Sequence, residues 1–169
     1  MASSLVSTQA LVLLLASAAW LAPTAGALAE PTPPLAETLA VKAAQSALGA
    51  CESQGLRVSV SIVDREGVQR ILLVGDGAGP IGVATSRRKA YTAAALGIST
   101  GDMQRQPPPP GSANLQIDPE VLPLAGGLPI RRGDVVIAGI GVGGADRSDK
   151  DEACAQAGLD AIKDHLNRP

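Results

Sequence analysis

The 169-residue chain carries 14 Lys and Arg against 16 Asp and Glu, a net charge of −2, with 46% hydrophobic and 18% charged residues. That balance suits one folded domain with a real core and excludes a disordered polyelectrolyte or a fibre. Trp20 and Tyr91 are the only aromatics and His165 the only histidine, so a stacking nucleic-acid binder, a multi-His metal centre and a His-based triad are all disfavoured.

The first 29 residues hold no Asp, Glu, Lys or Arg. Leu11–Leu15 form an apolar core, Pro23 breaks the helix, and Ala25-Gly26-Ala27 or Ala27-Leu28-Ala29 supplies the small residues of a cleavage site. This reads as a secretory signal peptide over 1–29, leaving no membrane span after cleavage and placing the protein in the periplasm or outside the cell. Residues 30–34 are a short proline-rich leader, and 35–169 form the domain.

Within the domain, Leu35 to about Ser53 is helical by period and alanine content. Leu56–Val63 sets Val58, Val60 and Ile62 against Arg57, Ser59 and Ser61, the alternation of a half-buried strand. The turn Asp64–Gly67 returns it as a second strand, Val68–Val74. Ile81 to about Ile98 is the second helix. A long loop follows, with Pro107–Pro110 as a rigid extended run. A short strand near Gly127–Arg131, a turn at Arg132–Asp134, a strong strand Val135–Val142 and a helix from Asp149 to Leu166 complete the chain. The order α-β-β-α-β-β-α, built from hairpins, predicts an α+β domain with an antiparallel sheet.

Cys51 shares a helical stripe with Ala40, Ala44 and Ala47, and Cys154 one with Gly158, Ala161 and Ile162. In an exported protein the two either form a disulfide joining the terminal helices or stay as buried, reduced hydrophobes.

Gly139, Gly141 and Gly144 match G-x-G-x-x-G, yet no strand follows to complete a dinucleotide fold. Those glycines instead let the strand lie close to a helix or a neighbouring subunit. On the second helix, Arg87, Arg88 and Lys89 precede a run of small residues. Lys89 and Thr92, three apart, share a face where a cation and a hydroxyl could hold a carboxylate or propionate. The alternative is that Lys89 pairs with an internal acid, for which Asp64 at the hairpin turn is the candidate. Ser148–Glu152 has the spacing of a capping box, Ser148 with Asp151 or Asp149 with Glu152.

Five segments, VSIVDREG (60–67), RKAYTAA (88–94), GGLPI (126–130), GIGVGG (139–144) and DEACAQAG (151–158), together resemble the GlcG/HbpS-type haem-binding family (DUF336). The resemblance spans Leu35 to Leu166. It implies a profilin-like fold, with an antiparallel five-stranded sheet between helices, and assembly into homo-oligomers. It also implies haem or a related small molecule as ligand and, as for some members, a role beside a membrane sensor protein in extracellular iron or redox sensing. Asp64, Lys89, Thr92, Gly127 and Glu152 match the family's polar and glycine positions. Lys89 and Thr92 are thereby expected to line the ligand pocket, with Asp64 and Glu152 positioning them. The N-terminal helix has no histidine, which leaves Tyr91 and Met103 as the conventional candidates for an iron ligand. Two other readings stay open. One is an enzyme acting on a small organic acid, using Lys89 with Asp64 or Glu152. The other is a protein-binding accessory module without a ligand.

Overall fold

The computed structural model describes residues 32–106 and 118–166. The segment 1–29 read as a signal peptide, residues 30 and 31 of the leader, and the Pro107–Pro110 run lie outside the described residues, which belong to a compact unit, Pro31–Pro169. In chain order the elements are α1 (Glu37–Glu52), β1 (Ser59–Asp64), β2 (Gln69–Val74), α2 (Pro80–Leu96), α3 (Thr100–Arg105), β3 (Gly127–Arg132), β4 (Val135–Gly143) and α4 (Ser148–Leu166). The strands form one antiparallel sheet in the order β2-β1-β4-β3.

The sheet is covered on both faces. Val60 and Ile62 of β1, Leu128 and Ile130 of β3, and Ile140 and Val142 of β4 pack with Ala40, Ala43, Ala44 and Ala47 of α1 and with Ala155 and Ile162 of α4. The opposite face meets α2. There the sequence has almost no side chain: Gly139, Gly141 and Gly143 alternate along β4. A β-carbon on Gly139 would strike Ala90 and Ala94, and one on Gly141 would strike Ser86 and Ala90. Close backbone packing is thus the purpose of the glycine-rich strand, and α2 answers with its own stripe of Gly82, Ser86, Ala90 and Ala93.

Two expectations change. The resemblance implies five strands, but the described residues hold four. The chain between α2 and β3 forms the short helix α3, whose N-cap Ser99 accepts from the amides of Gly101 and Asp102, and then a strap, residues 118–124. That strap bonds to α2 through side chains and so adds no ladder to the sheet. Likewise, β1 is buried on both faces rather than half-buried, because α2 covers Ser59 and Ser61. The hydroxyls of Ser61 and Ser86 lie 2.9 Å apart across that interface.

Cys51 and Cys154 are joined in a disulfide, with Cα atoms 5.6 Å apart and both residues fully buried. It links the last turn of α1 to the second turn of α4.

Candidate functional site

Lys89 is the largest completely buried side chain among the described residues. Its place on the sheet-facing stripe of α2 carries the amine inward, beneath the end of β4. Nζ donates to Asp151 Oδ2 at 2.7 Å and to the Val142 carbonyl at 3.0 Å. Asp151, in the first turn of α4 and 3% exposed, accepts the Ala145 amide on its other oxygen at 3.1 Å. Gly126 closes over the pair with φ +121°, and a β-carbon there would sit 2.9 Å from Lys89 Nζ. Only glycine tolerates both that backbone and that approach. Burial pushes the Lys89 ammonium down and the Asp151 carboxyl up, while each partner's charge opposes the shift.

The acid expected for Lys89 was Asp64; the structure supplies Asp151 instead. Asp64 turns back on its own hairpin, accepting the amides of Val68 at 2.8 Å and Glu66 at 3.1 Å, with Arg70 at 3.5 Å. The capping-box reading of Asp151 changes for the same reason, since its carboxylate faces Lys89 and Ala145. Glu152 also turns away from its own helix: Oε2 accepts the Gly126 amide and the Ser99 hydroxyl, both at 3.3 Å. Gly127 lies beside it, donating to Thr100 Oγ1 at 2.8 Å, and the space for a β-carbon is filled by the Lys89 backbone. Lys89, Glu152 and Gly127 therefore converge around Gly126, while Asp64 stands apart.

Above the ion pair opens a groove of about 490 Å³. Ile81, Gly82 and Thr85 of α2, Leu124 of the strap and Ala145 line it, with Lys89 and Asp151 at its floor. Ile81 at the mouth is 77% exposed, which is unusual for a large aliphatic side chain. Asp64 and Arg70 line a different cavity under the start of α1, of about 170 Å³. That volume is well below the range of ordinary small-molecule sites, about 300–1,000 Å³.

Beside the groove, the strap covers the rest of the predicted ligand face. Arg87 pairs with Glu120, and Arg88 Nη2 donates to the Val121 carbonyl at 3.2 Å. The Tyr91 hydroxyl donates to Asp118 at 2.7 Å. Thr92 Oγ1 donates to the Arg88 carbonyl at 2.7 Å and accepts the Leu122 amide at 2.8 Å. The Tyr91 bond raises the phenol above its ordinary range and holds Asp118 below the usual carboxylate range. Met103 is buried within α3 and lines neither the groove nor the Asp64 cavity. Among the described residues, no cluster of His, Cys, Asp and Glu has the makings of a metal site.

Sheet and covering helices define an α+β domain, an antiparallel sheet packed between helices, with an open groove over a buried ion pair. The chain belongs to the HbpS-like family: the family model described as haem degrading protein HbpS-like matches residues 35–160. A solved structure of HbpS is 37% identical, covering 81% of this chain and 96% of its own, with a TM-score of 0.73. A double mutant of Streptomyces reticuli HbpS is 38% identical over 86% of this chain and 98% of its own, also with a TM-score of 0.73. The PduOC:heme complex shares the fold at 23% identity, covering 77% of this chain and 96% of that one, with a TM-score of 0.70. No curated protein sequence matches the chain.

Proposed function

We propose that the protein captures haem or a related planar tetrapyrrole in the groove beside α2, as a binding protein rather than a catalyst. The groove carries this reading: it encloses about 490 Å³, and Ile81, Leu124 and Ala145 give it an apolar lining beside the polar Asp146 and Ser148. Membership of a family described by haem chemistry supports the choice of ligand. The lining contains no His, Met, Cys or Tyr. The groove thus suits the flat ring and offers the iron no axial ligand among its lining residues.

The chain's own residues then have separate tasks. Ile81 and Leu124 give apolar contact and exclude water from the ring. The Lys89–Asp151 pair fixes the floor, Gly126 leaves room for that pair, and Gly82 lets α2 sit close on the end of β4. The uncharged segment 1–29 supports export, so that the ligand is met outside the cytoplasm, as an accessory to iron or redox sensing would require. Exposed Leu72 and Val74 on the edge strand β2 support association of several copies.

Hemin titration followed through the Soret band tests the reading. The expected result is a saturable shift at a fixed ratio of hemin to subunit, weakened by Ile81→Asp. A linear response, unchanged by that substitution, would overturn it.

A further inference from the structure

The Lys89 charge is already cancelled by Asp151, so the floor of the groove is a poor anchor for an anion. The uncommitted cationic chemistry lies one helical step away, under the strap. Arg88 is three residues from Thr85, which lines the groove, and the two therefore share a face of α2. Its Nη2 reaches the Val121 carbonyl, yet its Nε is buried without an acceptor among the described residues. A buried guanidinium N–H without a partner carries a desolvation cost that the strap leaves in place. One carbonyl oxygen cannot satisfy the side-on edge of a guanidinium, whereas a carboxylate fits it with two parallel bonds.

The strap's other bonds have the same character. Asp118 presents a carboxylate to the Tyr91 hydroxyl, and Glu120 presents one to Arg87. The polar face of α2 therefore receives two carboxylates from its own chain, while among the described residues the guanidinium between them receives none.

We propose that Arg87, Arg88 and Tyr91 form a dicarboxylate-binding site for which Asp118 and Glu120 are internal stand-ins, and that a ligand carboxylate displaces the Val121 carbonyl to pair side-on with Arg88. For the identity of a tetrapyrrole ligand this rests on the groove reading; the anion chemistry stands on the α2 face alone. Leu124 joins the two, because the strap that covers Arg88 is also a wall of the groove. A propionate moving onto Arg88 would leave the macrocycle against Ile81 and Leu124.

Two probes separate the inference from the haem reading: glutarate, a plain dicarboxylate, and hemin. Binding of glutarate is read from the ultraviolet difference spectrum of Tyr91, the sole tyrosine. The expected result is saturable glutarate binding, tightened by about tenfold in Asp118→Asn/Glu120→Gln, the worth of one charge-assisted bond removed from competition. Arg88→Gln should weaken both probes by about tenfold or more. Glutarate binding without hemin binding would keep the anion site and overturn the haem reading. Hemin binding that neither Arg88→Gln nor the strap variant alters, with no glutarate signal, would overturn the inference and leave the groove reading intact. Should Arg88→Gln fail to fold, the strap variant decides: unchanged or weaker binding of both probes overturns the proposal.

Discussion

Lys89 Nζ and Asp151 Oδ2 lie 2.7 Å apart, and neither side chain is more than 4% exposed. The pair ties α2 to the first turn of α4 across the end of β4. Removing one partner leaves the other charge buried, which costs about 3–5 kcal/mol. Lys89→Met should therefore lower stability by that amount in urea denaturation. Adding Asp151→Asn keeps an acceptor for the Ala145 amide and removes the stranded charge, so the double variant should recover more than half of the loss. A double variant no more stable than the single one would show that the pair's contribution is not electrostatic.

The disulfide closes a sequence separation of 103 residues between α1 and α4. Chain entropy for a loop of that length corresponds to about 4–5 kcal/mol, with a measured range for native bonds of about 2–5. Cys51→Ala/Cys154→Ala should lose stability within that range. Both residues are fully buried, so alkylation after treatment with reductant should be slow in buffer and fast in denaturant. Rapid native alkylation would mean that the two helices open locally without global unfolding.

The Tyr91–Asp118 bond should give the strap a pH window. Asp118 is held below its ordinary value, so its contribution is present above pH 3.8 and lost as pH falls through the lower folded value. Tyr91 is raised above its ordinary value, so its contribution is full below pH 10.0 and lost as pH rises through the higher folded value. Absorbance at 295 nm reports this single tyrosine. Its midpoint should lie above 10.0 and fall toward it in Asp118→Asn. An unchanged midpoint in the variant would show that the strap does not hold the phenol in solution.

Most of the fold was legible because its signals are local. Period and punctuation locate seven of the eight elements in the right order and close to their observed ends, β3 among them. The missed helix α3 has six residues, too few for a periodic pattern, though Ser99 is a recognisable N-cap. The site was less legible, because its partners are 62 residues apart in sequence. Lys89 does sit on the Gly82–Ser86–Ala93 stripe, and a lysine on an otherwise small, buried stripe demands an acid. Nothing local says which one: Asp151 has the same spacing from Ser148 that a capping residue would have. The strap was invisible for a related reason, since its bonds join side chains of α2 to a segment without regular structure.

Glycine substitutions give the sharpest contrast between space and its absence. Gly141 lies on β4 directly under α2, where a β-carbon would meet the Ala90 amide nitrogen 2.5 Å away and the Ser86 carbonyl closer still. Both obstacles are helix backbone, so no side chain can rotate aside and α2 itself must lift from the sheet. Overpacking of this kind costs about 1–3 kcal/mol. Gly49 is an exposed position of α1 with nothing within 4 Å of a built β-carbon. Alanine there restricts the unfolded chain and suits the helix, a gain of about 0.5–1 kcal/mol. Denaturation midpoints should therefore move in opposite directions, down for Gly141→Ala and up for Gly49→Ala. The hemin response should separate them as well. Lifting α2 shifts Ile81 and Thr85 at the groove, so Gly141→Ala should weaken any saturable hemin binding while Gly49→Ala leaves it unchanged. Equal, small effects from both variants would mean that α2 is not seated on the glycine face of β4, and the groove built from it would fall with that packing.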